Sequence, residues 1–226
     1  VVTLSVVVPT LDEARTLPTL LGALDGVDEI IVADGGSRDG TPDIARAAGA
    51  RVVASARGRG LQLQAGARAA RGELLWFLHA DTRVPPGAVA ALRACPAPWG
   101  CFAVRFDRDH PALAGTAAWM NLRARRRGSC TGDMGMWARR AFYEEVGGFP
   151  PFPALEDLVF ADRARARARP AVLTPAVETS ARRFEQRGVL RTLVRMRAVR
   201  VGYAAGVSPP RLAAWYRGSA AGPWTR

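Results

Sequence analysis

Apolar runs and polar punctuation alternate along the first half of the chain with the spacing of an α/β protein. Residues 4–9 form a β-branched run that reads as a buried strand. Thr10 and Glu13, spaced as a capping box, predict a helix from there to about Leu24. A second strand is expected at 29–33, a Gly-rich turn and short helix over 42–48, and a third strand at 51–54. Arg57-Gly58-Arg59-Gly60 precedes a helix to about Arg71, and residues 74–78 are a wholly apolar fourth strand that ends at His79. Strands and helices in this order predict an α/β, mostly parallel, Rossmann-like sheet with helices on both faces.

The second half is less periodic. Residues 85–94 and 112–127 read as helices, 101–106 as a strand, and 139–146 as a helix stopped by Gly147-Gly148. Residues 131–137 are rich in Gly and Met. Another helix is expected from Glu156, a strand around 171–173, and a helical tail beyond Gly188 broken at Ser208-Pro209-Pro210. The expected organisation is a catalytic domain over 1–186, with a nucleotide-binding half to residue 83 and an acceptor-side half to 186. A basic helical tail over 187–226 follows it.

Charge changes this picture only at the tail. The chain carries 32 basic residues, all arginine, against 20 acids, for a net charge of +12. Residues 1–162 hold 18 arginines and 18 acids, whereas 163–226 hold 14 and 2, so the excess sits at the C-terminal end. A basic tail on a neutral body suits an anionic surface or headgroup, which points to a peripheral position on a membrane. Three unpaired-looking cysteines, Cys95, Cys101 and Cys130, lack zinc-ligand spacing and fit a reducing, cytoplasmic setting. No apolar run approaches the roughly 20 residues of a transmembrane helix.

Candidate chemistry lies at the strand ends, where open α/β sheets bind ligands. Asp34 follows the second strand beside Gly35-Gly36 and Ser37. It either accepts hydrogen bonds from a base or ribose or caps its own turn. Asp81 follows the fourth strand, with His79 two residues before it on the same side. Together they suit Mn²⁺ or Mg²⁺ on a diphosphate, the alternative for His79 being a core histidine. Glu156-Asp157 starts a helix, where acids either cap the dipole or act as a general base. Arg59 and Gly60 begin a helix that could cradle phosphate. Leu63 breaks the dinucleotide pattern G-x-G-x-x-G, and no Walker loop is present.

In order along the chain, these segments resemble the family-2 glycosyltransferases of the GT-A fold. The matching stretches are 6–13 (VVVPTLDE), 30–41 (IIVADGGSRDGT), 58–72, 75–82 (LWFLHADT), 139–150 (RRAFYEEVGGFP) and Glu156-Asp157. The nearest likeness is to small bacterial members with His-Ala-Asp in place of the usual D-x-D. The resemblance implies inverting transfer from a nucleotide-diphospho-sugar, UDP-linked ahead of GDP-linked, to an acceptor hydroxyl, a lipid-linked one among the candidates. By position it puts Pro9, Thr10, Leu11, Glu13, Asp34, Gly35, Ser37, Arg59, Gly60 and Asp81 on the nucleotide-sugar. Asp81 and His79 would hold the metal, and Asp157 would be the base with Glu156 supporting it. Gly132, Asp133, Arg182 and Arg183 would lie on the acceptor side. Ser180–Phe184 stands where processive relatives carry Gln-x-x-Arg-Trp, and that motif is not intact here.

Rival functions are a sugar nucleotidyltransferase of related fold, a non-catalytic relative, and a basic protein that binds nucleic acid or a membrane surface. The glycine-rich turn at 33–40 lies after the second strand and lacks the downstream Lys of the nucleotidyltransferases. Nucleic acid is not an expected partner, because the positive charge is confined to the tail and no recognition motif occurs.

Overall fold

The computed structural model describes residues 2–152 and 154–217. Seven strands form one sheet: β1 (Leu4–Thr10), β2 (Glu29–Asp34), β3 (Arg51–Ala54), β4 (Leu74–Phe77), β5 (Trp99–Phe106), β6 (Trp137–Arg139) and β7 (Ala171–Thr179), in the order β3-β2-β1-β4-β6-β5-β7. Pairing is parallel except at β6, which runs against both β4 and β5. Consecutive residues of β1, β4 and β5 are buried, so both faces of the sheet centre are covered.

The helices are α1 (Leu17–Gly22), α2 (Thr41–Ala47), α3 (Arg59–Ala69), α4 (Ala88–Ala94), α5 (Pro111–Arg127), α6 (Arg140–Glu145), α7 (Glu156–Arg165), α8 (Arg182–Arg187), α9 (Val189–Ala204) and α10 (Pro209–Arg217), with a 3₁₀ turn at Gly132–Met134. Chain order runs outward from β1 through β2 to β3, then returns to the other side of β1 at β4. That reversal opens a crevice at the C-terminal ends of β1 and β4.

Three expectations need correction. The helix expected from Thr10 begins only at Leu17, because the capping-box partners bond across the loop instead. The Thr10 hydroxyl donates to Asp34 Oδ1 and the Glu13 N–H to Thr41 Oγ1. The last sheet strand continues to Thr179, well past Leu173. The Gly- and Met-rich stretch forms the 3₁₀ turn and ends at Trp137, which starts an unexpected three-residue strand, β6, held between β4 and β5. The tail break falls before Pro209, which opens α10 where a proline lacks nothing by having no N–H.

The C-terminal helices pack onto the rest of the molecule. Val199 of α9 and Leu212 of α10 join Leu155 and Leu158 at the start of α7 in one apolar cluster. Arg195 lies over the Trp215 ring at 5.4 Å and donates to its carbonyl. Among the described residues, no helix is long and apolar enough to cross a membrane.

Helix α3 lies on β1 so closely that Gly66 has no room for a side chain; a Cβ there would collide with Val7 Cγ1. Gly66→Ala gains about 1 kcal/mol of helix propensity but overpacks the core by about 1–3 kcal/mol. Urea unfolding should therefore show a lower midpoint at unchanged slope, and a raised midpoint would refute this packing.

Candidate active site

The crevice holds a cleft of about 330 Å³. Pro9, Thr10, Leu11, Glu13, Arg59, His79, Asp81, Asp133 and Arg182 line it, all from the sequence-derived set. Ala80, Ser180, Gln62, Phe106, Thr179, Phe184, Gln186 and Met196 complete its wall, and of these Gln62, Phe106, Thr179, Gln186 and Met196 were not foreseen. Phe184, Gln186 and Met196 come from α8 and α9, so the C-terminal segment closes one side.

Asp34 stands just behind this wall. Its Oδ2 accepts the N–H groups of Gly36 and Ser37, and its Oδ1 accepts the Thr10 and Ser37 hydroxyls. Four donors fill the usual capacity of a carboxylate. Burial works against the charge, but these bonds outweigh it and hold the carboxyl below its ordinary range. Asp34 thus fixes the loop that frames the cleft, and Ser37 Oγ extends the frame by accepting the Asp12 N–H. Gly35 serves by what it lacks: a Cβ would meet the Gln62 amide at 3.0 Å. That amide donates to the Thr10 carbonyl at 2.6 Å and the Ala33 carbonyl at 3.1 Å, strapping the tips of β1 and β2 together.

Asp81 is pushed above the ordinary carboxylate range, first by burial. His79 and Arg182 pull the other way, while Glu13 and Asp133 add to the rise. His79 Nδ1 lies 3.3 Å from Asp133 Oδ1. Arg182 Nη2 lies 3.1 Å from Glu13 Oε1 and 3.6 Å from Asp81 Oδ2. Arg182 was grouped with the acceptor side, yet its ion pairs are with two donor-side carboxylates. The Arg183 side chain lies outside the described residues.

Glu156 and Asp157 open α7 behind the cleft wall, and neither is among the residues that line the cleft. Glu156 is 1% exposed and its Oε1 accepts from Arg59 Nε. Its side chain therefore cannot meet a substrate and acts on the site only through Arg59. Burial raises its carboxyl, and the guanidinium offsets part of that rise. Burial likewise opposes the Arg59 charge, but Glu156 and Asp157 outweigh it and push the guanidinium further up. Asp157 Oδ2 accepts the Gly132 N–H at 2.9 Å, and Oδ1 accepts the Leu158 N–H and lies 3.9 Å from Arg59 Nη2.

Two glycines shape this region. Gly60 faces away from the cleft: its N–H donates to the Phe152 carbonyl, and a Cβ would strike the Pro150 carbonyl. It locks α3 to the loop that delivers α7, and does not reach a ligand. A Cβ on Gly132 would meet His79 Nε2 at 2.8 Å and Asp157 Oδ2 at 3.6 Å. Its absence lets the His79 ring pack directly against the turn that holds the Asp157 carboxylate. Also buried is Arg123, 7% exposed, whose charge is disfavoured by burial and supported by Asp157. Its Nε has no hydrogen-bond partner among the described residues. Standing just before the run Arg125–Arg127, it reads in sequence as solvated with them, which is why it was missed.

The arrangement offers a ligand the Arg182 guanidinium together with the carboxylates of Glu13, Asp81 and Asp133. Comparison with known proteins agrees with that chemistry. Residues 5–94 match the model of glycosyl transferase family 2. A glucosyl-3-phosphoglycerate synthase of Mycolicibacterium paratuberculosis is 40% identical over 93 residues, which are 35% of this chain and 28% of that protein. The chain thus matches less than a third of the length of this curated relative. The crystal structure of S. aureus TarS superposes with a TM-score of 0.63 at 18% identity, over 96% of this chain and 43% of that one. Glucosyl-3-phosphoglycerate synthase from Mycobacterium tuberculosis, crystallised with Mn²⁺, UDP and phosphoglyceric acid, gives 0.55 at 25% identity over 79% and 68%. Residues 5–94 thus resemble glycosyl transferase family 2 in sequence, and the described chain shares the mixed α/β fold of these GT-A structures.

Proposed function

We propose that the cleft transfers a sugar from a nucleotide-diphospho-sugar, UDP-linked ahead of GDP-linked, to an acceptor hydroxyl with inversion. The observation that carries the reading is a cleft at the strand ends where Arg182 faces Glu13 and Asp81, with Asp157 held by the Gly132 N–H just behind the His79 wall. The UDP in the M. tuberculosis enzyme supports the choice of nucleotide.

In this reading the nucleotide lies against Pro9, Thr10 and Leu11, on the loop that Asp34 and Ser37 hold. Its diphosphate meets Arg182, while Arg59 stays paired with Glu156. The acceptor gives its hydroxyl proton to Asp157. The freed oxygen pair attacks the anomeric carbon from the face opposite the diphosphate, and the departing bond's electrons go to the diphosphate oxygen. One displacement of this kind inverts the anomeric centre. Guanidinium charge placed beforehand at the leaving oxygens supplies the main electrostatic stabilisation.

A divalent metal, Mn²⁺ or Mg²⁺, is the usual companion of a diphosphate. The side chains do not converge on such an ion. His79 Nδ1 faces Asp133, Asp81 and Glu13 share Arg182, and no group of three metal-ligating side chains occurs among the described residues. No step here is therefore assigned to a metal.

Helix α9 bears on the acceptor. Met196 lines the cleft, while Leu190 (75% exposed), Val194 and Val201 share the side opposite buried Thr192 and Val199. Exposed Arg191 and Arg197 accompany them. An aliphatic line with guanidinium groups suits an anionic membrane surface and would bring a lipid-linked hydroxyl to the cleft.

Asp157→Asn should lower transfer by about 100-fold or more while UDP affinity changes by about twofold or less. Single-turnover assays and calorimetry read the two separately, and equal loss of both would remove Asp157 from the base role. For the surface, the full chain should sediment with phosphatidylglycerol vesicles and not with phosphatidylcholine ones. Leu190→Glu with Val194→Glu should abolish that binding; retention would place the contact elsewhere.

A further inference from the structure

Arg182 is the most unusual group in the cleft. It sits at the first position of α8, 169 residues from Glu13 in sequence, and reaches back to the tips of β1 and β4. There its Nη2 contacts two carboxylates at once, Glu13 Oε1 at 3.1 Å and Asp81 Oδ2 at 3.6 Å. The side chain remains 49% exposed. Among the described residues, both contacts use the same nitrogen, so Nε and Nη1 keep donors for a ligand.

The charge balance explains why a cation belongs at this spot. Asp81 and Glu13 together place two negative charges where the proposed reading puts a diphosphate. Arg59 cannot neutralise them, because Glu156 and Asp157 already hold it. His79, where a second acid would commonly stand, is directed at Asp133. Without another cation a diphosphate would meet only like charge from these groups. Arg182 is always charged, and its planar fork matches two phosphate oxygens in a way a point charge does not.

We propose that Arg182 is the built-in countercharge of the donor diphosphate, paired with Asp81 and Glu13 in the free protein and turned to the phosphate oxygens when donor binds. This rests on the reading of the cleft as a nucleotide-diphosphate site. The two carboxylates then act as a parking place that keeps the guanidinium over the cleft and screens it from other anions. Donor recognition consequently does not depend strictly on a divalent ion, and added metal and Arg182 supply overlapping charge. Because α8 also brings Phe184 and Gln186 to the cleft wall, the same movement would draw this segment over the donor.

Calorimetric titration of the full chain with UDP, GDP and uridine, each in Mn²⁺ and in EDTA, tests the proposal. The wild-type protein should bind UDP in EDTA. Arg182→Gln should weaken UDP at least tenfold in EDTA, the scale of a lost charge-assisted hydrogen bond. Mn²⁺ should recover much of that loss, uridine affinity should not change, and Arg182→Lys should fall between. Circular dichroism of each variant verifies the fold. UDP binding that requires Mn²⁺ and ignores Arg182→Gln would overturn the countercharge role and leave the nucleotide site standing. Failure of UDP and GDP to bind wild-type protein under either condition would overturn the nucleotide reading itself, and this inference with it.

Discussion

The ion pair between Arg59 and Glu156 joins the two halves of the molecule, and the site depends on it. Arg59 begins α3 in the N-terminal half; Glu156 begins α7, 97 residues later in the C-terminal half. Glu156 is almost wholly buried and its second carboxylate oxygen has no hydrogen-bond partner among the described residues. A lone buried charge is costly, so the pair resists separation even though forming it gains little over apolar packing. Gly60 reinforces the joint by letting the loop at 150–152 approach the α3 backbone. Asp157 is positioned as a consequence: with its neighbour fixed, it is left to face Gly132.

Electrostatic strain is distributed unevenly around this joint. Asp34 is held below the ordinary carboxylate range by its own turn, and so contributes stability that is lost as pH falls through its folded value. Asp81 and Glu156 are raised, so their ionised forms oppose folding as pH rises through their folded values. A protein keeps carboxylates in such surroundings where a ligand or partner cation repays the burial. Arg59 does so for Glu156. At Asp81 the resident partner is Arg182, a half-exposed group that can leave.

The core strands were legible because a strand buried on both faces writes itself as a continuous apolar run, as residues 4–8 and 74–78 do. The acidic stations at their ends were legible for the same reason, since sheet geometry fixes where a strand end must lie. Long-range pairing was not. Nothing local in Glu156 signals that Arg59 will meet it, or in Arg182 that it will cross to Glu13. Thr10 and Glu13 misled because a capping-box spacing is indistinguishable in sequence from a loop whose polar groups bond to Asp34 and Thr41. Strand β6 is only three residues long and takes its register from β4 and β5, so it carries no period of its own. Met196 and Gln186 reach the cleft only because α8 and α9 fold back over it.

A double-mutant cycle on Arg59→Met and Glu156→Gln, read by urea unfolding near neutral pH, bears most directly on the joint. Each single change strands a charge, so each should destabilise by about 3–5 kcal/mol. The double variant should lose far less than their sum, with a coupling of about 2 kcal/mol or more. Additive losses would mean that the two halves are held together by something else, and that the cleft does not rest on this pair.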